Sequence, residues 1–423
     1  MWGEAVFKFA HLADCHIGAN RDPVLEKLEL AAFSKVMETC VQENVDFVLI
    51  AGDLFHANLP DMHVANEAVK KMKEVKDAGI PIYVIYGSHD YSPNATSIID
   101  ILDSTGLIKK VVKGEVVDGK LRLEVFTDPK TKAKLVGISG RKAGLEKNYF
   151  EILDREHLEA EEGFKIFAFH SAVSELKPEI LAQMESVPVS LLPKGFNYYA
   201  SGHVHRRTES GFPGYERVVF PGPLFAGYPR DLEDTAKGEE RGFYIVYFDD
   251  IVQDVKFIEV SVCGFEYFEY DVTDKNSVQA RKALLDKLGK VEVQDKIAVV
   301  KIKGTLSGGK TSEVSSSEIR DLLKDNGALE VIVNRYGLTS KDYTPVTVKG
   351  EDIPAVESRF LRENIGAVKV SVEELKADKG AKLAEELLKI LRQEQRVNET
   401  KKDYEERVQK HAWASLGLGD ERQ

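Results

Sequence analysis

Along the first half of the chain, short apolar runs alternate with longer segments in which apolar residues recur at helical spacing. Phe7 to Leu12, Val45 to Ala51 and Ile80 to Tyr86 are strand-length apolar runs, of the kind that belongs to strands buried on both faces of a parallel sheet. Between the first two, Asp22-Pro23 supplies an N-cap and a first-turn proline for a helix of about twenty residues. Leu28, Ala31, Ala32, Val36 and Val41 mark its expected apolar side. A second helix is predicted over about Val64 to Asp77, and a short third one over Ser97 to Ser104, closed by Gly106. The order β-α-β-α-β-α describes a layered α/β domain.

From about Lys120 the rhythm becomes strand-like. Leu121 to Phe126 and Leu135 to Ser139 flank a basic turn, Lys130 to Lys134, and Phe164 to Phe169 and Phe196 to Ser201 read as buried strands. Glu216 to Phe220, Gly242 to Phe248 and Val252 to Val260 are expected to finish the domain as antiparallel strands near residue 262. A second β-α-β-α-β pattern follows: Phe265 to Val272, Ser277 to Leu288, Lys296 to Lys303, Ser315 to Asn326 and Leu329 to Val333. Ser315 and Glu318 there have capping-box spacing. This small α+β module has no histidine cluster and no acid pair at its strand ends, so its expected role is binding or positioning.

After about Val372 the composition turns to Lys, Glu, Arg, Leu and Ala. Leu383, Leu387, Ile390 and Leu391 form one apolar stripe; Tyr404, Val408, His411 and Ala412 start another beyond Asn398-Glu399-Thr400. Two such helices are either packed back on the domains or reserved for a partner. A partner is the expectation, with Leu383, Leu387, Leu391, Tyr404 and Val408 as contact residues. The expected division is residues 1–262, 263–372 and 373–423.

Composition narrows the picture. A length of 423 residues suits two or three domains, and 43% hydrophobic with 30% charged residues describes a globular chain, not a disordered or membrane one. No apolar run approaches the roughly 20 residues of a bilayer span. The segment from Met1 to Ala10 reads as a first strand, not a signal peptide. Cys15, Cys40 and Cys263 are far apart and odd in number, which suits a reducing cytoplasm and suggests neither a disulfide framework nor a cysteine zinc site. The net charge of −12 argues against a simple nucleic-acid coat, yet leaves room for acidic metal ligands beside local basic loops.

The chemistry collects where the apolar runs stop. Asp14-x-His16, Gly52-Asp53-Leu54-Phe55-His56, Gly87-Ser88-His89-Asp90, His170 and Gly202-His203-x-His205 each follow a predicted strand of one domain. Open α/β sheets place their sites at such ends. Taken singly, an Asp or His there is most often a cap; five such pieces in one domain are hard to obtain by chance. Imidazoles and carboxylates suit manganese, iron or zinc, whereas a magnesium site would be mostly oxygen. Asp14 and His16 fall on the same side of an extended segment, as do His203 and His205. A carboxylate such as Asp53 has two oxygens with which to bridge a metal pair.

This ordered set resembles the calcineurin-like metallophosphoesterases. Within them, His-Leu-Ala-Asp14-Cys-His16-Ile-Gly, Gly-Asp53-Leu-Phe-His56 with Pro60, and Ser-Gly-His203-Val-His205 are similar to the archaeal-type meiotic recombination eleven branch of DNA-repair nucleases. The resemblance implies a four-layer α/β sandwich, a smaller α+β capping domain and a helical tail. It implies that Asp14, His16 and His205 hold one metal and His170 and His203 a second, with Asp53 bridging and manganese as the usual ion. His89 would serve as acid or leaving-group stabiliser with Asp90 to orient it, and His56 would handle the DNA end. The family has Asn where this chain has Ser88, a shorter and weaker neutral ligand.

The expectation is therefore a two-metal DNA exonuclease and endonuclease, cytoplasmic and nucleoid-associated, that processes double-strand-break ends and hairpins. Its tail would dock on an SMC-like Rad-fifty ATPase. A homodimer is implied, with the Val64–Asp77 helix and its Val64, Ala68, Met72, Val75 face as the candidate surface. Arg206, Arg207, Arg141, Lys142 and the 130–134 turn are candidate phosphate contacts. Two other readings stand beside it: a small-molecule phosphodiesterase, and a scaffold that binds DNA or the ATPase after Ser88 weakened the site.

Overall fold

The computed structural model describes residues 6–92, 96–177, 183–342, 361, 377–396 and 399–416. Strands β1 (Phe7–Leu12), β2 (Phe47–Ala51) and β3 (Ile82–Ile85) run parallel, with β4 (Lys109–Lys110) at one edge. Helices α1 (Pro23–Gln42), α2 (Met62–Asp77) and α3 (Ile98–Ser104) connect them. Asp22 caps α1 by accepting from the Val24 and Leu25 amides, as its place before Pro23 predicts. A hairpin, β5 (Gly114–Val117) and β6 (Lys120–Leu123), leads to β7 (Phe126–Thr127) and β8 (Lys134–Ile138). The short helices α4 (Lys147–Glu151) and α5 (Arg155–Glu159) precede β9 (Lys165–His170). A small pair, β10 (Ala172–Val173) and β11 (Ser186–Val187), separates β9 from β12 (Tyr198–Gly202). Then come β13 (Thr208–Phe212), β14 (Tyr215–Phe220), helix α6 (Pro229–Ala236), β15 (Gly242–Phe248) and β16 (Val252–Glu259).

Two six-stranded sheets result, ordered β16-β15-β1-β2-β3-β4 and β13-β14-β12-β9-β8-β7. Strand periodicity assigns each side chain to a layer. Ala10, Leu12, Val48, Ile50, Ile82 and Val84 pack with Phe33, Val36, Ala68 and Met72 of α1 and α2. Their neighbours Phe9, Phe47, Leu49, Tyr83 and Ile85 point the other way and meet Leu135, Ile166, Ala168 and Tyr198 of the second sheet. The far face of that sheet, with Val136, Phe167 and Phe169, packs with Phe150 and Leu158 of α4 and α5. The layers run helix, sheet, sheet, helix.

Four expectations change. On α1 the buried stripe is Leu25, Ala32, Phe33, Val36, Met37 and Cys40, whereas Val41 and Ala31 face solvent. On α2, Val64, Ala68, Met72 and Val75 all point into the protein's own core, so that face is not available to a second copy. Strand β14 is parallel to β12 and antiparallel only to β13. Helix α6 adds an element between β14 and β15, where the sequence pattern assigns none.

Beyond β16, strands β17 (Gly264–Asp271), β18 (Lys296–Leu306), β19 (Glu330–Asn334) and β20 (Leu338–Ser340) form an all-parallel sheet. Helices α7 (Ser277–Leu288) and α8 (Ser316–Asp325) cover one face through Ala280, Leu284, Ile319 and Leu323. From the other face, Ile297 and Val299 enter the core that contains α1 and α2. Residues 1–341 thus form one compact unit.

The unit of residues 342–423 contains the helices Ala377–Leu391 and Lys401–Ser415, which pack on each other. Arg407 reaches back to Glu399 at 2.7 Å, and Ser415 Oγ donates to Glu386 Oε1 at 2.9 Å. Leu383, Leu387, Tyr404 and Val408 are half-buried and Leu391 is exposed. The expected boundary at residue 372 lies outside the described residues. No described helix is long and apolar enough to cross a membrane.

Candidate metal centre

Strands β1, β2 and β3 end along one edge of the first sheet, and β9 and β12 end at the facing edge of the second. Each chain must turn at once, because the residues that follow converge on one point. Asp14 (φ 51°), His16 (φ 46°), Asp53 (φ 52°) and His203 (φ 83°) all adopt left-handed backbone conformations. A side chain there costs about 1–2 kcal/mol, and such outliers collect where the surrounding structure over-determines them. Here it does: the Asp14 amide donates to the Gly52 carbonyl (3.1 Å) and the His16 amide to the Asp53 carbonyl (2.9 Å). Gly87 has to be glycine, since a Cβ would lie 2.0 Å from Asp53 Oδ1.

The converging atoms make two overlapping groups. Asp14, His16 and His205 place one ligand-type atom each within 4.8 Å of one another, and so do Asp14, Asp53 and His170. His16 Nε2 lies 2.9 Å from His205 Nε2, and His170 Nε2 lies 3.1 Å from Asp53 Oδ2. The His203 ring sits beside His170, with centroids 5.2 Å apart, and its amide donates to both oxygens of Asp14 (2.8 and 3.0 Å). Asp14, His16, Asp53 and His170 are almost fully buried.

Burial dominates the electrostatics, and neighbouring charge decides its outcome. Burial pushes the Asp14 carboxyl up, with His205 and His170 opposing. It also works to raise Asp53, but His170 and His16 beside it take that carboxyl well below the usual range. Burial holds His16 far below its ordinary value, against the pull of Asp53. Burial, then His170, lowers His203 to about 3. Two imidazoles go the other way: burial lowers both, yet Asp53 and Asp14 carry His170 up to about 10, and Asp231 and Asp14 raise His205. One anionic carboxylate thus sits among imidazoles of two kinds, His16 and His203 shifted toward the neutral form and His170 and His205 toward the charged one.

The Gly87–Asp90 turn borders this group. His89 Nδ1 meets the His56 carbonyl at 3.0 Å, and its Nε2 meets the Tyr228 hydroxyl at 2.7 Å. Asp90 does not orient His89. Its two oxygens accept from the Leu54 amide (2.8 Å) and the Gly87 amide (2.7 Å), so it fixes the loops that carry Asp53 and His89. Burial, then Asp53, raises Asp90 to about 7. His56 Nδ1 lies 3.2 Å from His16 Nδ1, which brings His16, His56 and His89 together as a third group. Ser88 lines the cleft beside Asp53 and His203.

The donor set fits a divalent cation. His170 Nε2 is buried and makes no hydrogen bond of regular geometry, with Asp53 Oδ2 3.1 Å away. Among the described residues three nitrogens and two carboxylates converge, the composition expected of a transition-metal site. Residues 7–207 match the model of the calcineurin-like phosphoesterase family, a span that opens on β1 and closes two residues past His205. The chain carries a calcineurin-like phosphoesterase domain. It is a metallophosphoesterase domain, of a family of hydrolases that use divalent metal ions.

Curated relatives extend the similarity beyond the phosphoesterase domain. The DNA double-strand break repair protein Mre11 of Archaeoglobus fulgidus is 27% identical over 336 residues, 74% of this chain and 72% of that protein. The proteins of the same name from Sulfurisphaera tokodaii and Methanopyrus kandleri are each 28% identical, over 256 and 261 residues. Those matches cover 60% and 57% of this chain, and 62% and 54% of the two relatives.

The centre of the phosphoesterase domain opens into a cleft of about 640 Å³. Arg206 lines it and is exposed. Arg207 pairs with Glu240 and lies over the Phe257 ring, 4.3 Å from its centroid. Arg141 is stacked on Tyr91 at 3.9 Å, and Lys142 is exposed. The 130–134 turn precedes β8, at the end of the sheet opposite His170, and Lys130 pairs with Asp46 at 2.7 Å. That turn does not border the cleft.

Two cleft residues, Tyr228 and Asp231, and Arg241 behind them escaped the sequence pattern. All three stand past the family span, on and around α6. Tyr228-Pro229-Arg230-Asp231 carries a helix-start signal, proline in the first turn and an acid two positions on. That signal was the one available trace of them.

Proposed function

We propose that this protein is a two-metal DNA nuclease, exonuclease and endonuclease, that processes double-strand-break ends and hairpins. The observation that carries this reading is the reach of the repair-protein similarity. It covers 74% of the chain in the Archaeoglobus case, far past residue 207 and into the β17–β20 module, which a small phosphoester substrate would not need. In this reading residues 1–262 are the nuclease domain, 263–372 position DNA, and 373–423 bind a partner.

Asp14, His16 and His205 would hold one ion, His170 and His203 the second, and Asp53 would bridge them, with Ser88 beside the second site. Manganese suits this nitrogen-and-oxygen set. Two divalent ions supply Lewis acidity that eases deprotonation of water and offsets charge on phosphate oxygens. The protein's own groups do the rest. His89 in its protonated form, with Nδ1–H held on the His56 carbonyl, presents Nε2–H to give its proton to the departing sugar oxygen and is left as the neutral ring. Asp90 keeps the Gly87 turn in register with Asp53, His56 steers the DNA end, and Arg206 and Lys142 offer cations to the backbone.

The helices Ala377–Leu391 and Lys401–Ser415 would dock on an SMC-like Rad-fifty ATPase. A homodimer would use surface outside the buried face of α2, where Leu59 and Met62 are exposed. An enzyme that works on chromosomal DNA in this way would act in the cytoplasm, at the nucleoid. Purified protein with manganese is expected to degrade linear and hairpin DNA, and His89→Ala to lose that activity by about 10²–10⁴-fold. Ser88→Asn is expected to tighten the second ion in a calorimetric titration. Hydrolysis of a nitrophenyl ester with none of DNA would overturn the substrate assignment in favour of a small-molecule phosphodiesterase.

A further inference from the structure

His205 is held by a residue that lies outside the strand-end motifs. Its Nδ1 lies 2.9 Å from Asp231 Oδ2, and the same oxygen accepts from the Gly227 and Tyr228 amides, each at 2.9 Å. Asp231 is 3% exposed and Arg241 4%. The Arg241 guanidinium binds both residues through their backbones, donating to the Asp231 carbonyl at 2.9 Å and to the His205 carbonyl at 3.0 Å. Its Nε is spent on Thr235 Oγ1 at 2.7 Å.

We propose that Asp231 is a positioning residue for the metal centre, fixing the His205 ring so that Nε2 faces inward with its lone pair free. The proposal rests on the reading of His205 as a ligand. An ionised carboxylate only accepts hydrogen bonds, so the proton of neutral His205 sits on Nδ1. That leaves Nε2 unprotonated, 2.9 Å from His16 Nε2 and 4.0 Å from Asp14 Oδ1. His170 and His89 are oriented by backbone carbonyls, at 2.8 and 3.0 Å. A carboxylate partner does more, since it raises the basicity of the ring as a ligand.

The same oxygen shapes the wall of the site. By holding the Gly227 and Tyr228 amides it presses that turn against two rings. A Cβ on Gly227 would lie 2.6 Å from His16 Cδ2 and 3.0 Å from His205 Cε1. An ordinary helix cap at the start of α6 would satisfy the Tyr228 amide alone. It would require neither the bond to Nδ1 nor an arginine that binds the backbones of both partners.

The test uses the full chain with Asp231→Ala, Asp231→Asn and His205→Ala. Manganese binding is measured by equilibrium dialysis with elemental analysis. Imidazole ¹⁵N signals are recorded without metal at alkaline pH, where the ring is neutral. Wild-type His205 is expected in the Nδ1–H form. Asp231→Ala is expected to mix the two tautomers and weaken one of two manganese sites about 10–100-fold, sparing the other. Asp231→Asn, which keeps a carbonyl acceptor, is expected to hold the tautomer and lose less affinity. Wild-type His205 in the Nε2–H form overturns the proposal, whether or not the variants fold. So does an Asp231→Ala protein that is less heat-stable but keeps wild-type affinity and tautomer, the result of a cap alone. If His205→Ala retains both sites at full strength, the ligand reading falls and takes the metal part of the proposal with it. The two failures are therefore told apart.

Discussion

The paired sheets of residues 7–259 and the small sheet of residues 264–340 both rest on parallel strands, yet they end those strands differently. In the first, four left-handed residues, Asp14, His16, Asp53 and His203, follow strand ends and are drawn inward, while Asn44, Asp118 and Lys132 sit on outer turns. In the second, the left-handed residues other than glycine are Asp274 and Asp295, both on exposed turns. Asp271, at the end of β17, accepts from its neighbour Thr273 and goes no further. The same topology thus yields a reactive edge in one place and a plain one in the other. The difference lies in whether the strained residues face each other or face water.

The sharpest way to break this comparison is to remove one strand-end acid from each sheet. Asp53→Ala is expected to lower manganese-dependent phosphodiester hydrolysis by at least about a thousandfold, the scale of several kcal/mol of transition-state stabilisation. Asp271→Ala is expected to leave it unchanged; equal losses in the two would erase the distinction. Glycines give a second, smaller contrast. Gly87→Ala drives a methyl into Asp53 and is expected to cost about a hundredfold in rate, the scale of a misplacement of about 1 Å. Gly327→Ala (φ 90°) meets only the Gln294 side chain, and is expected to cost about 1–2 kcal/mol of stability with activity intact. Rates and thermal midpoints on the same preparations decide both.

Buried and exposed acids supply the smallest contrast. Glu29 of α1 braces the loop after His16, bonding the Gly18 amide and, at 2.7 Å, the Asn20 side chain. Burial raises it to about 7, against those hydrogen bonds. Between its unfolded value near 4.5 and about 7, the unfolded chain has released a proton that the folded chain still holds. Stability therefore falls as pH rises through that window. Glu29→Gln is expected to flatten the slope of thermal midpoint between about pH 4.5 and 7. Glu313 of the module is exposed and is shifted downward by Ser277, so Glu313→Gln is expected to leave the slope as it is.

What the sequence made legible was whatever repeats a local rule. Apolar runs became strands, Asp22-Pro23 became a helix start, and the five strand-end pieces met at one centre. What it hid depends on tertiary context. The Val64–Met72–Val75 stripe reads the same whether it covers the protein's own core or a second copy. Asp90 sits beside His89 in sequence, but its carboxylate turns toward the backbone of another loop. Asp231 lies in an acidic run, Asp231-Leu232-Glu233-Asp234, that reads as a solvated helix face. Only the fold brings it to His205, 26 residues away.

Helix α6 ties two parts of the unit together. Asp231 touches His205, and two residues on Glu233, 6% exposed, binds Lys301 of β18 at 2.8 Å and Asn334 of β19 at 2.6 Å. Lys237 of the same segment also pairs with Glu233, so a chain cut at residue 262 would keep that partner but lose Lys301 and Asn334, along with Ile297 and Val299 of the shared core. Trimming the protein to its family span, residues 7–207, would remove α6 and with it the Asp231 that holds His205. The smallest piece worth isolating is residues 1–341, because the module is part of the support of the helix that holds His205.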